Sequence, residues 1–221
     1  MQATQEKILP LSRIQKLIGE RMLKSKRTQP CFYLTAQADI GEISEIRRPL
    51  SKQLGARISM NDFFIRAMAV AIEKYPLMTQ GDISIGLAVA SPAGLVVPVI
   101  KNANSKSLAQ IAKESMELIE KARNNKLSLD DLQGACITLT ALGMFGIDSF
   151  LPIPVPGQRS ILSVGKIIDQ PIPDGDYIKT RKIIEFCLAA DITKVDYEYA
   201  ANFLVEITTL VSNPQRLIIE N

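Results

Sequence analysis

The sequence predicts one mixed α/β domain, and two observations carry that expectation. Segments of helical and of strand periodicity alternate along the whole chain. No Pro/Gly/Ser-rich linker, internal repeat or low-complexity tract divides it. With 221 residues, 47% of them hydrophobic, the chain can bury a single substantial core. Residues 1–9, mostly polar, read as a flexible N-terminal segment, which leaves 10–221 as the folded domain.

The elements follow in order. Ser12 and Gln15 form a capping box, in which each side chain satisfies the other residue's free backbone N–H, and Leu11, Ile14, Leu17, Ile18 and Met22 share the face of a helix ending near Thr28. Residues 31–39 read as a strand, and 42–54 as a helix carrying Ile43, Ile46, Leu50 and Leu54 on one side. Ser59 and Asp62 open a third helix to about Lys74, apolar around most of its circumference and therefore deeply packed. Ile83, Ile85, Leu87 and Val89 alternate with small or polar residues as in one strand. The turn Ser91-Pro92-Ala93-Gly94 then returns Leu95–Ile100 as its hairpin partner. Ser107 and Gln110 cap a helix with Leu108, Ile111, Ser115, Leu118 and Ala122 at helical spacing. Residues 136–142 read as a buried strand, and the prolines of 151–157 exclude regular structure there. Ser160–Val164 reads as a strand, 171–176 as a turn, and 177–190 as one or two further strands. A last helix buries Phe203, Leu204, Ile207, Leu210 and Val211 and stops before Pro214.

Composition narrows the chemistry. The chain has no histidine, so no imidazole base, Ser-His-Asp or Cys-His system or histidine zinc site is available. A net charge of +3 gives no footprint for nucleic acid or an anionic membrane, and no apolar run approaches the ~20 residues of a membrane span. Three cysteines, Cys31, Cys136 and Cys187, form no CxxC pair and fit a reducing compartment as small core residues. These features point to the cytoplasm, with the mitochondrial matrix as the alternative for a processed fragment.

The stretch Cys187–Leu204 holds the most specific pattern: an apolar strand end, a polar turn and an amphipathic helix. It resembles the signature of the dihydrolipoamide acyltransferases, the core subunits of 2-oxo acid dehydrogenase complexes. Their signature is Asp-His-Arg-X-X-Asp-Gly, followed by a helix with a Phe-Leu pair. Asp191 and Asp196 match the two aspartates, and Phe203 and Leu204 the pair. Ile192 stands at the catalytic histidine, Thr193 at the arginine and Tyr197 at the glycine. Four more stretches are similar to family motifs in the same order: Pro10–Ile14 with Glu20–Met22 and Ser25-Lys26, Ile58–Phe63, Gly94–Ile100 and Thr138–Gly146. The sequence also departs at Ala141, where the family often has asparagine, at Gly157 within its Asn-Pro-Pro-Gln run, and in a shortened Pro76–Asp82 connection. Lipoyl and peripheral-subunit-binding domains do not occur in these residues.

The resemblance implies a chloramphenicol acetyltransferase-like fold, a two-layer mixed β-sheet with helices, built as trimers with active sites between subunits. In the family a histidine takes the proton of a dihydrolipoamide thiol that attacks acyl-CoA, and a Ser or Thr hydroxyl supports the oxyanion. Thr140 occupies that hydroxyl position, and Asp196 the loop-supporting aspartate, with Arg13 or Arg21 as its basic partner. Each also has a structural reading: Thr140 as an ordinary β-branched strand residue, Asp196 as a helix N-cap, Asp191 as a loop anchor. Ile192 can neither accept a proton nor hydrogen-bond through its side chain, and a positioned base is worth about 10²–10⁴-fold. The expectation is a non-catalytic subunit of the protein X kind, requiring no cofactor, with CoA or acyl-CoA as ligand where the pocket survives. It forms homotrimers and from them larger cubic or icosahedral shells, alone or with active acyltransferase subunits, and Leu217, Ile218 and Ile219 supply trimer–trimer contacts. Two alternatives stay open: an active acyltransferase using Asp191, Asp196 or Glu198 as base, and a CoA-binding regulator.

Overall fold

The computed structural model describes residues 13–175 and 177–218, the side chains of Arg13 and Ile14 excepted. The elements are α1 (Arg13–Thr28), β1 (Cys31–Asp39), α2 (Gly41–Gln53), α3 (Met60–Lys74), β2 (Ile85–Leu87), β3 (Val89–Ser91), β4 (Gly94–Val96) and β5 (Val99–Ile100). They continue as α4 (Leu108–Arg123), β6 (Ile137–Ala141), β7 (Ser160–Asp174), β8 (Tyr177–Asp191), α5 (Tyr197–Ser212) and α6 (Gln215–Ile218). The main sheet runs β1-β8-β7-β6-β2-β5. Strand β6 pairs parallel with β2 and β7, and the other neighbours are antiparallel, so the sheet is mixed as the sequence predicts.

Strand periodicity decides what each face carries. Leu139, Leu162 and Leu188 lie in register on β6, β7 and β8, and all are buried. Helix α3 packs there, with Phe64 edge-on to Phe186 at 5.1 Å between centroids. Tyr75 at the end of α3 meets Tyr199 and Phe203 edge-on, which ties α3 to α5. Thr138, Thr140, Ile161 and Ser163 fall on the alternate positions and face the other way. That side is covered by the proline-rich segment, because Ser25 of α1 donates to the Pro154 carbonyl at 2.6 Å and Ser163 to the Phe150 carbonyl at 2.8 Å. Of the apolar α1 face, Leu11 and Ile14 lie outside what is described, whereas Leu17 is 58% exposed.

The capping box expected at Ser107/Gln110 forms, and Ser59 and Asp62, expected to open α3, make a second one; Ser12, of the α1 box, lies outside the described residues. Asp62 does more than cap. Its carboxylate accepts from the Ser59 N–H at 2.6 Å, the Ser59 hydroxyl at 2.7 Å and Ser115 of α4 at 2.6 Å. Burial pushes the Asp62 carboxyl up, and the three donors pull it only part of the way back. A folded-state pKa above the unfolded one favours the protonated form in the fold. Its stabilisation is therefore full below about pH 3.9 and lost as pH rises through the raised value. Urea melts of wild type and Asp62→Asn at pH 4 and pH 7 should show wild type losing stability relative to the variant as pH rises. A constant difference would mean that Asp62 stays at the ordinary carboxylate value.

Three expectations need correction. Residues 83–89 are not one strand: the Ala88 N–H still donates to Leu139 at 2.9 Å, after which β3 leaves to pair with β4 in a separate hairpin. The return segment breaks at Pro98, which has no N–H for a ladder and only accepts from Leu87 at 2.8 Å. The turn is shorter than the expected 171–176: β7 runs to Asp174, which pairs with Tyr177, and the chain reverses between them, with φ at +61° for Gly175. Pro171 and Pro173 lie two residues apart, so both ring nitrogens point to one edge of the ribbon. Among the described residues no third strand pairs with β7 beyond Val164, so neither proline interrupts a ladder there. Finally, Leu217 is 1% exposed within its own core, where it is unavailable for contacts between copies. Ile218 packs half-buried against that core, and Ile219 lies outside the described residues.

Candidate functional site

Thr140 comes near the end of β6, on the face turned away from α3. It borders an apolar cavity of about 460 Å³ walled by Ile18 and Met22 of α1, Val97 after β4, Leu142 and Ile161. The Thr140 hydroxyl has no partner among the described residues, whereas its neighbour Thr138 donates to Gln158 Oε1 at 2.7 Å. Gln158 is buried and accepts at its own carbonyl from Gln29 at 2.7 Å, which pins the proline-rich wall to α1. Nothing in the sequence signals this role, since one glutamine in an irregular run reads as exposed. Arg21 lines the same cavity instead of pairing with Asp196.

Beyond β6 the chain turns through Gly143–Phe145, where two backbones touch. A Cβ on Gly143 would lie 2.3 Å from the Gly165 carbonyl oxygen, and one on Gly165 1.7 Å from that of Asp148. Only glycine fits at either place. The segment between them leaves Met144 and Phe145 76% and 70% exposed, with Met144 bordering a separate pocket beside Ser59, Met60 and Phe64 of the α3 start.

The second predicted centre, the turn after β8, lies elsewhere and is built shut. The Asp191 Oδ1 accepts from the Thr193 N–H at 2.9 Å and its hydroxyl at 2.7 Å, an Asx turn closed by the residue that replaces arginine. The Ile192 N–H donates to the Pro30 carbonyl at 3.1 Å, and the side chain is 44% exposed. Tyr197 lies on Phe32 of β1, with centroids 4.2 Å apart at 33°. Asp196 is the N-cap of α5, its Oδ1 accepting from the Tyr199 N–H at 2.8 Å. Asp196 makes no ion pair among the described residues, and the Arg13 side chain lies outside them. Of the three alternative bases, Asp191 and Asp196 are thus engaged and Glu198 is an exposed first-turn residue.

No thiol is poised to take their place. Burial pushes the Cys31 thiol up and the Asp191 carboxylate adds to it, against an opposing pull from Lys26. Cys136 and Cys187 are likewise pushed up, chiefly by burial. Among the described residues no three Cys, Asp or Glu side chains group to hold a metal ion, and no helix is long and apolar enough to cross a membrane.

Thr140 and Ile192 do not meet within one chain. Thr140 pairs opposite Ser163, Ser163 opposite Cys187, and Ile192 follows five residues later. Two strand spacings and five residue rises separate them by roughly 15–20 Å.

Residues 3–219 match the 2-oxoacid dehydrogenase acyltransferase catalytic domain. The chain belongs to that family. It is 34% identical over 227 residues to the dihydrolipoyllysine-residue acetyltransferase component of the pyruvate dehydrogenase complex of Rickettsia felis, a match covering 96% of this chain and 55% of the relative. It is also 34% identical over 224 residues to the mouse mitochondrial pyruvate dehydrogenase protein X component, covering 95% of this chain and 44% of that one. The chain thus spans about half the length of the curated relatives it matches. Among solved structures, Azotobacter vinelandii dihydrolipoamide acetyltransferase superposes with a TM-score of 0.88 at 29% identity, covering 96% of this chain and 94% of that one. The cubic core of a pyruvate dehydrogenase complex gives 0.88 at 30% identity, with coverage of 96% and 94%. Chloramphenicol acetyltransferase shares the fold alone, at TM-score 0.52 and 14% identity over 93% of this chain and 99% of that one. The two-layer acyltransferase fold expected from the signature is therefore the fold of this family member.

Proposed function

We propose that this chain is a catalytically silent structural subunit of, or related to, the core of a 2-oxo acid dehydrogenase complex. The observation that carries the reading is Ile192. In the Azotobacter enzyme a serine, a histidine and an asparagine, spaced by 52 and 4 residues, are the subject of its catalytic mechanism. Thr140, Ile192 and Asp196 have the same spacing of 52 and 4 here. A hydroxyl and a polar side chain are kept, and the base is replaced by a hydrocarbon. A free thiol has a pKa of about 8.5, so without a base little thiolate exists at neutral pH to attack a thioester.

Self-association accompanies this reading. Met144, Phe145 and Leu17 are each exposed large apolar side chains in the single chain, and a relative of the same fold forms a cubic core. Trimers, and shells built from them, would cover those side chains, with further copies or with active acyltransferase subunits as partners. The apolar cavity beside Thr140 suits the pantetheine arm of CoA or an acyl-CoA, with Arg21 as a cation on its wall. The weak net charge of +3 favours neither nucleic acid nor a membrane surface as partner. The proposed compartment is the cytoplasm, or the matrix if the chain is a mitochondrial fragment.

Native mass spectrometry with negative-stain imaging, and acetyl-CoA to dihydrolipoamide transfer on the same sample, test the proposal. The expected result is a trimer or a multiple of three with transfer at background. Robust transfer from the purified chain would overturn it.

A further inference from the structure

We infer that Asp174-Gly175, at the tip of the β7–β8 ribbon, is a self-modification site, where the folded chain converts its own backbone to an isoaspartyl linkage through a succinimide. The inference goes beyond the silent-subunit reading and does not depend on it.

Three observations carry it. The first is chemical. Ring closure needs a backbone nitrogen to reach the carboxyl carbon of the residue before it, and a side chain on the attacking residue obstructs that approach. Asp174 is the one aspartate or asparagine in the chain that glycine follows. The second is the nitrogen itself. The Gly175 N–H has no partner among the described residues, and apart from its chain neighbours no atom lies within 4 Å of a Cβ built at Gly175. The third is the freedom of the backbone. Strand β1 pairs with β8 only as far as Ile183, and β6 with β7 only as far as Val164, so the ribbon beyond has no third strand among the described residues. Its last pair joins Asp174 to Tyr177, and Tyr177 and Ile178 are each 79% exposed. A ribbon end of this kind opens at little cost in free energy.

The other aspartates lack this combination. Asp62 and Asp191 are buried, with their carboxylates taken by Ser59 and Ser115 and by Thr193. Asp39 accepts from the Gly41 N–H at 2.9 Å. Asp148 is the nearest competitor, with a side chain 70% exposed, but Ser149 follows it and Lys166 holds its carboxylate at 2.8 Å. Asp174 itself pairs with Lys179 in solvent, where such a pair restrains a side chain only weakly.

The step balances with no further reactant. The Gly175 nitrogen attacks the Asp174 Cγ, a C–N bond forms, and the N–H proton leaves with a carboxyl O–H as water. Water then adds to the five-membered imide. Addition at Cγ restores aspartate. Addition at the main-chain carbonyl breaks its bond to the Gly175 nitrogen and leaves the chain running through Cγ, one atom longer. The pair with Tyr177 can then no longer close the ribbon, whereas Asp169–Lys182 at 2.9 Å and Asp39–Arg181 at 3.5 Å keep its base in place.

The test holds the purified chain in heavy-oxygen water at mildly acidic pH, folded and in urea, and follows the tryptic peptide of residues 167–179 by mass and electron-transfer fragmentation. One heavy oxygen and an isoaspartyl signature should accumulate at position 174 ahead of Asp148 and every other aspartate. The folded rate should lie within about tenfold of the rate in urea, because the ribbon end opens easily. Asp174→Glu, which would need a six-membered ring, should abolish the signal at that position. Lys179→Ala should raise the rate by up to about fivefold, the worth of an exposed ion pair. A folded rate at 174 more than about a hundredfold below the rate in urea would mean that the ribbon end stays shut, and would overturn the inference. Isoaspartate appearing first at Asp148, or a signal in the same peptide that survives Asp174→Glu, would overturn it as well.

Discussion

The triple variant Ile192→His, Thr193→Arg, Tyr197→Gly is expected to transfer acetyl groups about 10²–10⁴-fold above the wild-type background, the usual worth of a positioned general base. Ile192 itself is 44% exposed, which leaves space for a larger side chain, and the bond from its N–H to Pro30 fixes its backbone. Ile192→His alone should give less. Thr193 occupies the Asp191 carboxylate, and Tyr197 is packed on Phe32, so an imidazole would enter a turn already closed around other contacts. The pH profile gives a second readout. The base works as the neutral imidazole, so the rate should rise with pH through a value near 6.5, a limb absent from a chain with no histidine. Adding Thr140→Ala should cut the restored rate about 10²–10³-fold. A triple variant that assembles normally and stays at background would place the lesion on the β6 side instead, with Ala141 the first suspect.

Most of the fold was legible because hydrophobic period and capping chemistry agreed locally. The α3 and α4 boundaries follow from Ser59/Asp62 and Ser107/Gln110, whose side chains satisfy backbone donors that any helix must leave free. The misreadings share one physical cause, that pairing is a property of two segments. Alternation from Ile83 to Val89 is real, yet β2 pairs with β5 and β6 while β3 pairs with β4, and one sequence pattern cannot report a change of partner. Prolines at 171 and 173 signal a turn only where the strand needs both edges. Here β7 has one neighbour past Val164, and Asp169 opposite Lys182, paired at 2.9 Å, helps hold the ribbon.

The candidate site was legible as residues and not as a place. Thr140, Asp191, Ile192 and Asp196 could be singled out by spacing, but the separation of Thr140 from Ile192 depends on strand order and register. Asp196 was open between a site role and a cap, and the 2.8 Å bond from the Tyr199 N–H gives it the cap's geometry. Gln158 went unnoticed because its importance lies in what it touches across the sheet. Leu217 illustrates the reverse error: an apolar residue near a chain end reads as free to meet another copy, yet its own core takes it.

Gly165→Ala is expected to be the most damaging single-methyl change in the chain. A Cβ at that position would sit 1.7 Å from the Asp148 carbonyl oxygen and 2.7 Å from its carbon, and both are backbone atoms that no rotamer change can move. Overpacking of this kind costs about 1–3 kcal/mol and occasionally more, and two backbones in contact put this case at the upper end. For a domain of this size about 3 kcal/mol lowers Tm by roughly 6–12 °C. Gly81→Ala is the control, because nothing lies within 4 Å of its Cβ position and its change should stay within about 0.5 kcal/mol. The damage should also reach function. Lys166 donates to the Ile147 carbonyl at 2.8 Å, so β7 and the 143–148 segment move together, and that segment continues directly from the Thr140 strand. In the triple variant, Gly165→Ala should therefore lower the restored rate even below its melting transition, whereas Gly81→Ala should not. An unchanged melting temperature for Gly165→Ala would mean that the two backbones do not meet. The cavity wall beside Thr140 would then owe its shape to the proline-rich segment alone.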